Sequence, residues 1–207
     1  MTNFLFIRHA AHDYLRRAIA GRIPGVHLNE LGRQQAEQLA QKLSLLPIDA
    51  IFSSPLERTR ETAEPIARQL NLPVQIAEEF TEINFGDWTD RPFSELNSVS
   101  EWRHFNAFRS STAPPRGELM LEVQTRVVRK LSSLRGQYSF VAIVSHGDAI
   151  RATMAHFLGQ PLDLVQRIEI DPASLSIVEC GDDYVRVRLL NAPSTGSPLE
   201  LPKVRHQ

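Results

Sequence analysis

Two short apolar runs constrain the fold of this chain more than any other feature. Residues 3–7 are almost entirely apolar, and residues 140–144 carry the strongest strand signal, with several β-branched side chains. Apolar runs of this length without polar alternation are typical of strands that are buried on both faces, as in a parallel sheet. Because amphipathic helical patterns lie between such runs, the chain is predicted to be an α/β protein built from βαβ units.

The connecting segments show helical periodicity. Asn29 is placed to cap a helix that reaches about residue 46 and ends before Pro47. Its apolar side is predicted to consist of Leu31, Gln35, Leu39 and Leu43, with Ala36 and Ala40 beside them. Further helices are predicted over 57–70, 118–134 and 149–158, and strands over 48–52, 74–76, 175–179 and 184–190. This order predicts a three-layer α/β/α sandwich with a mostly parallel sheet and an edge hairpin.

The middle of the chain interrupts this alternation. Residues 82–88 form a loop with a turn at Gly86, and residues 101–109 form a short helix rich in aromatic and basic side chains. We predict that 85–117 is a small, lid-like helical excursion from a single domain over 1–190. Residues 191–207 are rich in Pro, Ser and Gly and are predicted to be a flexible tail.

Composition narrows the choice of partners. The net charge of the 207 residues is −1, so no global basic field would attract nucleic acid or an anionic membrane. The single cysteine, Cys180, excludes an internal disulfide. A signal-peptide pattern and a long apolar run are both absent, so a cytoplasmic location is expected and the oligomeric state is left open.

Charged and nucleophilic side chains follow the predicted strands. Arg8 and His9 come directly after the first strand, His146 follows the central one, and Arg58 begins a helix near a third strand end. Ligands of open α/β sheets bind beyond the carboxyl ends of the strands. A pocket for a dianion such as phosphate would form if one crevice held all of these groups: two guanidinium groups, two imidazoles and a helix N-terminus. A neutral imidazole there could also act as a nucleophile.

Simpler interpretations exist for each of these residues. Arg8 and His9 could lie in a surface turn, and His9 and His146 could be buried histidines bonded to the backbone. Arg58 has the neighbour Arg60, and either could be a solvated helix charge.

Four blocks of the chain resemble, in order, the histidine phosphatase superfamily, in its branch of cofactor-independent small phosphatases and phosphoglycerate mutases. They are 4–9, 53–58, 82–88 and 144–147, and residues 25–36 are also similar to the stretch that follows the first motif. The resemblance implies that His9 attacks phosphorus and that Glu82, rather than Glu78 or Glu79, is the acid that protonates the leaving alkoxide. It implies further that Arg8, Arg58 and His146 hold the transferring oxygens, with no metal or other cofactor.

The chain departs from the family pattern after the nucleophile. Ala10, Ala11, His12 and Leu15 stand where the family usually has a glycine, an acidic residue, a hydroxyl and an asparagine. The methyl group of Ala10 is tolerable if its backbone is not left-handed. Arg22, His12 or His27 could supply the missing contacts, and we assign Arg22 to the substrate. Trp88-Thr89-Asp90 also departs from the usual tryptophan-acid-glycine.

The expected function is hydrolysis of a small phosphate monoester through a phosphohistidine, with a small phosphorylated metabolite as substrate. The alternatives are a phosphoglycerate-type mutase and a catalytically silent binder of a phosphorylated ligand. A metal-dependent hydrolase is a further alternative, but the spacing of His9, His12, His27 and His146 matches no standard metal motif. A group of arginines suggests a second negative charge on the leaving group: Arg91, Arg103, Arg109 and Arg116.

Overall fold

A six-stranded mixed sheet forms the centre of the protein. The computed structural model describes residues 1–195 and residue 199. The strands are β1 (Thr2–Arg8), β2 (Ala50–Ser53), β3 (Val74–Ile76), β4 (Phe140–Ser145), β5 (Leu175–Cys180) and β6 (Val185–Ala192). Their order across the sheet is β3-β2-β4-β1-β5-β6. The first four strands run parallel and the last two form an antiparallel edge, which confirms the predicted sheet.

Helices cover both faces of this sheet because both faces are apolar. The helices are α1 (Glu30–Leu43), α2 (Glu57–Leu70), α3 (Phe93–Leu96), α4 (Ser100–Ala107), α5 (Met120–Leu134) and α6 (Gly147–Leu158). In β1, Phe4 and Phe6 pack on the side of α5 and α6, whereas Leu5 and Ile7 pack on the side of α1 and α2. Successive strand residues point to opposite faces, so each face needs its own helical layer. The predicted three-layer α/β/α sandwich is confirmed.

Most predicted helices lie where the sequence pattern puts them. Helix α2 spans the predicted residues. Helix α5 lies within its predicted range and buries one apolar face: Met120, Val123, Val127, Leu131 and Leu134. Helix α1 begins after Asn29, whose side chain accepts a hydrogen bond from the backbone N–H of Gly32 at 2.9 Å. It ends at Leu43, earlier than predicted.

The predicted apolar side of α1 is wrong at Leu31, which is 57% exposed. The buried residues of this helix are Gly32, Ala36, Leu39, Ala40 and Leu43. Gly32 faces the loop after β1, where an added Cβ would lie 2.0 Å from the carbonyl oxygen of Ala11. Because only glycine permits this approach, it sets the rotation of α1 and turns Leu31 toward solvent.

The excursion over 85–117 is packed by its own aromatic side chains. The rings of Trp88 and Trp102 meet edge to face at 5.3 Å, and Phe105 lies 5.4 Å from Trp88. Backbone hydrogen bonds also join residues 17–19, in the loop after β1, to residues 90–93. The excursion therefore forms a packed wall, and its opening as a lid stays a prediction.

The last strand ends slightly later than predicted. Strand β6 extends to Ala192, so the first residues of the predicted tail belong to the sheet. Residues 196–198 and 200–207 of that tail lie outside the described residues, and the division at residue 190 stays a prediction. Within the described part of the chain, no helix has the length and apolar character needed to cross a membrane.

Candidate active site

Strand ends meet at one edge of the sheet and form a cavity. Strands β1 and β4 are parallel neighbours that pair Arg8 with Ser145, so the residues after them come together. The ring centroids of His9 and His146 lie 5.2 Å apart. A cavity of about 260 Å³ opens here, lined among others by Arg8, His9, Arg58 and Glu82. His146 is not among the lining residues.

His9 is buried with one ring nitrogen fixed. Its Nδ1 lies 2.9 Å from the carbonyl oxygen of Ala10, and since a carbonyl only accepts, Nδ1 must carry the proton. Burial lowers the pKa of His9 well below its ordinary value, and the charges of Arg58 and Arg8 lower it further. The ring is therefore neutral at neutral pH, with an unprotonated Nε2. Ala10 has no positive φ, so its methyl group fits here without backbone strain.

Arg8 and Arg58 bring positive charge to the cavity without using all their donors. Arg8 donates to the carbonyl oxygen of Ile170 at 2.6 Å, and Arg58 donates to that of Gly21 at 2.7 Å. Nε of Arg8 and both Nε and Nη1 of Arg58 are buried without an acceptor among the described residues. Burial lowers the pKa of both guanidinium groups, that of Arg58 to about 10. Buried cationic donors without an acceptor indicate a site that can bind an anion.

His146 holds one of these arginines. Its Nδ1 accepts a hydrogen bond from Nη2 of Arg58 at 3.2 Å, so Nε2 carries the proton and donates to Oγ of Ser54 at 2.8 Å. Burial lowers the pKa of His146 well below its ordinary value, which keeps the ring neutral. Both nitrogens are thus engaged with protein groups, and direct contact of His146 with an anion stays a prediction. Sequence reasoning assigned no role to Ser54, although the Ser53-Ser54-Pro55 turn belongs to the second matching block.

Glu82 lies at the N-terminus of α6. Its Oε1 accepts hydrogen bonds from the backbone N–H groups of Ile83 at 3.1 Å and Ala149 at 3.2 Å. Burial raises the pKa of Glu82, and the nearby charge of Asp148 raises it further. Glu82 lines the cavity, whereas Glu79 faces Lys130 and Glu78 is exposed.

Asp148 is a site residue that sequence reasoning missed. Its carboxylate pairs with Arg109 at 3.1 Å and Arg151 at 3.0 Å, and all three residues line the cavity. Burial alone would raise the pKa of Asp148, but the two guanidinium groups lower it to about 2. The available signal was its position, directly after the Ser145-His146-Gly147 motif.

Of the four arginines considered for a second negative charge, only Arg109 lines the cavity. Arg91 and Arg116 pair with the carboxylates of Glu95 and Asp87. Arg103 donates to backbone carbonyl oxygens.

The three residues considered for the contacts missing after His9 lie in different places. Arg22 donates to the carbonyl oxygen of Glu82 and to the carboxylate of Glu118, each at 2.7 Å, and is not among the cavity-lining residues. Its assignment to the substrate stays a prediction that requires it to leave Glu118. His27 is exposed and bound to Glu61, whose carboxylate raises its pKa. His12 lines the cavity.

The described histidines, cysteine and carboxylates include no group of three or more positioned to hold a metal ion.

The chain is similar to proteins that are named as phosphatases. It is 32% identical to phosphoserine phosphatase 1 of Hydrogenobacter thermophilus, covering 86% of each chain. It is 27% identical to adenosylcobalamin/alpha-ribazole phosphatase of Escherichia coli, covering 82% of this chain and 85% of that protein. The crystal structure of a putative alpha-ribazole-5'-P phosphatase from E. coli superposes with a TM-score of 0.84 at 25% identity, covering 95% of this chain and 98% of that one.

The family model of the histidine phosphatase superfamily (branch 1) matches residues 4–193. This range is nearly the whole chain and includes all the residues that line the cavity. The chain therefore belongs to the histidine phosphatase superfamily, as the four sequence blocks predict.

Proposed function

We propose that this protein is a phosphomonoesterase that hydrolyses a small phosphate monoester through a phosphohistidine on His9, without a metal ion. One observation carries this proposal: the unprotonated Nε2 of His9 shares a cavity with guanidinium nitrogens of Arg8 and Arg58 that have no acceptor among the described residues. A nucleophile and uncompensated positive charge in one place suit attack on a phosphate dianion.

In the first step, Nε2 of His9 forms a bond to phosphorus as the ester P–O bond breaks. Arg8 and Arg58 stabilise the charge that spreads over the three equatorial oxygens in the transition state. The hydrogen bond from Nδ1–H to Ala10 holds the ring so that Nε2 keeps its lone pair. Glu82 gives its proton to the leaving oxygen, so that an alcohol departs.

In the second step, Glu82 accepts a proton from water while the water oxygen attacks phosphorus. The N–P bond breaks, inorganic phosphate leaves and His9 returns to its starting state. A carboxyl group with a raised pKa suits both steps, because it retains a proton to higher pH than an ordinary glutamate.

A small phosphorylated metabolite fits the cavity volume of about 260 Å³. Phe85, Phe93 and Trp102 also line the cavity and offer the leaving group an apolar surface. The cytoplasmic location, the absence of a nucleic-acid partner and a single domain over 1–190 remain parts of this proposal.

The test is hydrolysis of an aryl phosphate in the presence of a metal chelator. We expect the wild-type protein to release phosphate and His9→Ala to fall to the background rate with an unchanged circular dichroism spectrum. Rapid quenching of wild type and labelled substrate in alkaline detergent should trap a phosphoenzyme that is stable to base and labile to acid, and that His9→Ala lacks. His27→Asn is the matched control, because His27 lies outside the cavity and should leave turnover unchanged.

Turnover that survives in His9→Ala would remove this nucleophile. Transfer of the phosphoryl group to an added alcohol with little free phosphate would replace hydrolysis by the mutase reaction.

A further inference from the structure

The lining of the cavity carries more positive charge than a phosphate group needs. Five arginines line it, and Glu82 and Asp148 are the only carboxyl side chains among the described residues of this lining. Burial keeps the imidazoles of His9 and His12 neutral, because it lowers the pKa of each. A phosphate dianion would neutralise two of the arginines, so positive charge remains in excess whether Glu82 is ionised or protonated. The cavity therefore suits a substrate with a further negative charge.

Arg16 is the lining arginine that the proposed mechanism and the buried ion pairs leave unused. Two of the other four belong to the phosphate site, and two share the carboxylate of Asp148. The guanidinium of Arg16 is exposed, and it forms no ion pair or hydrogen bond with the described residues. Arg16 was not among the four arginines that the sequence suggested for a second negative charge on the leaving group.

A tight turn holds Arg16 in a conformation that arginine rarely adopts. Its φ is 62°, in the left-handed region, which costs free energy for any residue with a Cβ. Before it, the backbone N–H of Tyr14 donates to Nδ1 of His12 at 3.2 Å, so His12 carries its proton on Nε2. After it, the N–H of Arg17 donates to the carbonyl oxygen of Tyr14 at 3.0 Å. A strained backbone that the surrounding structure maintains points to a function for the side chain it carries.

This turn is joined to the aromatic part of the lining. The carbonyl oxygen of Arg17 accepts a hydrogen bond from the backbone N–H of Phe93 at 3.0 Å. Phe93 and Trp102 line the same cavity as Arg16 and offer the leaving group an apolar surface. Arg16 therefore lies where the loop after β1 meets the surface available to the leaving group.

We propose that Arg16 is a specificity-determining residue, which binds an anionic group, such as a carboxylate, on the leaving group of the substrate. This inference rests on the proposed function of the cavity, and it names the substrate class: phosphate monoesters whose alcohol carries a second negative charge. The guanidinium donates charge-assisted hydrogen bonds to this group while the aromatic rings contact its carbon skeleton. Because Arg16 touches no reacting atom, its charge strengthens binding of the substrate without changing the chemical step.

The test compares two substrates of similar shape, 4-carboxyphenyl phosphate and its neutral carboxamide, 4-carbamoylphenyl phosphate. The measured quantity is the ratio of their kcat/KM values, because effects of a variant that act on both substrates alike cancel in this ratio. We expect wild type to prefer the carboxylate, with the difference mainly in KM. Arg16→Met should lower the ratio about fivefold, a modest change because the guanidinium is exposed to solvent. Arg16→Lys retains the charge and should retain most of the preference.

Two further variants separate the contact from folding and from the general charge of the loop. Arg16→Gly suits the left-handed backbone, so it should fold at least as well as wild type and lose the preference as Arg16→Met does. Arg17→Met is the matched control, because Arg17 is the next residue, equally exposed and absent from the lining. The same change of charge at this position should leave the ratio at the wild-type value.

A wild-type ratio near one would overturn the substrate class. An unchanged ratio in Arg16→Met and Arg16→Gly, or an equal fall in Arg17→Met, would overturn the contact with Arg16. In each of these cases both esters would still be hydrolysed, so the proposed function would stand. Failure of the wild-type protein to hydrolyse either ester would contradict the proposed function, and this inference with it.

Discussion

The two sides of the cavity differ in how their arginines are paired. On the side of His9, Arg8 and Arg58 form no ion pair among the described residues. On the side of the excursion, Arg109 and Arg151 share the carboxylate of Asp148. A folded protein tolerates buried cations at a cost in stability, and it does so where a ligand supplies the missing charge.

This difference assigns different tasks to similar side chains. If the unpaired arginines bind the phosphate group as proposed, their loss should affect activity more than stability. The paired arginines hold Asp148, which raises the pKa of Glu82, so they should affect stability and the pH profile more than anion binding. Arg109 also covers the ring of Phe105 at 4.6 Å within the excursion, while its pair with Asp148 ties the excursion to α6.

The largest expected effect is on catalysis, from Arg58→Met. Loss of this guanidinium should lower kcat/KM for an aryl phosphate by about 10³-fold, because it removes charge that stabilises the transition state. The melting temperature should change little, since an unpaired buried charge is removed along with its two hydrogen bonds. Activity near that of wild type, or a stability loss as large as that from Arg109→Met, would show that the two sides are equivalent.

Next in size is the effect of Arg109→Met on stability. Asp148 would remain buried with Arg151 alone, and we expect the free energy of unfolding to fall by about 3 kcal/mol. Denaturant unfolding measures this, with Arg68→Met as the control: Arg68 pairs with Glu37 on the surface, at 2.6 Å, and its loss should cost no more than about 0.5 kcal/mol. Equal losses in the two variants would contradict a structural role for Arg109.

The smallest expected effect on catalysis comes from Asp148→Asn and depends on pH. Removing this negative charge lowers the pKa of Glu82, so Glu82 loses its proton at lower pH and less of the acid form remains at alkaline pH. The alkaline limb of kcat/KM should therefore move to lower pH, with a loss at pH 8 of about tenfold or less. This is below the loss of about 10²-fold or more that we expect for Glu82→Gln. An alkaline limb that stays in place would show that Asp148 does not tune this acid.

Most of the fold was predictable because the apolar pattern specifies burial directly. Phe4 and Leu5 are both apolar and point to opposite faces, which requires a sheet covered on both sides. The rotation of α1 was not predictable, since it depends on the approach of Gly32 to Ala11, a contact between two separate elements. The aromatic wall was predicted as a segment, but its packing onto the loop after β1 depends on tertiary pairing of residues 17–19 with 90–93.

The candidate site was likewise predictable in part. The sequence alone determined which side chains follow the strands, and therefore that Arg8, His9 and Arg58 share an edge of the sheet, because parallel strands bring their carboxyl ends together. Only the tertiary structure decided the state of each group: which nitrogen of His9 and His12 carries a proton, that His146 holds Arg58, and that Arg22 binds Glu118. Those states depend on burial and on hydrogen-bond partners that are distant along the chain. The local sequence around each residue specifies neither of them.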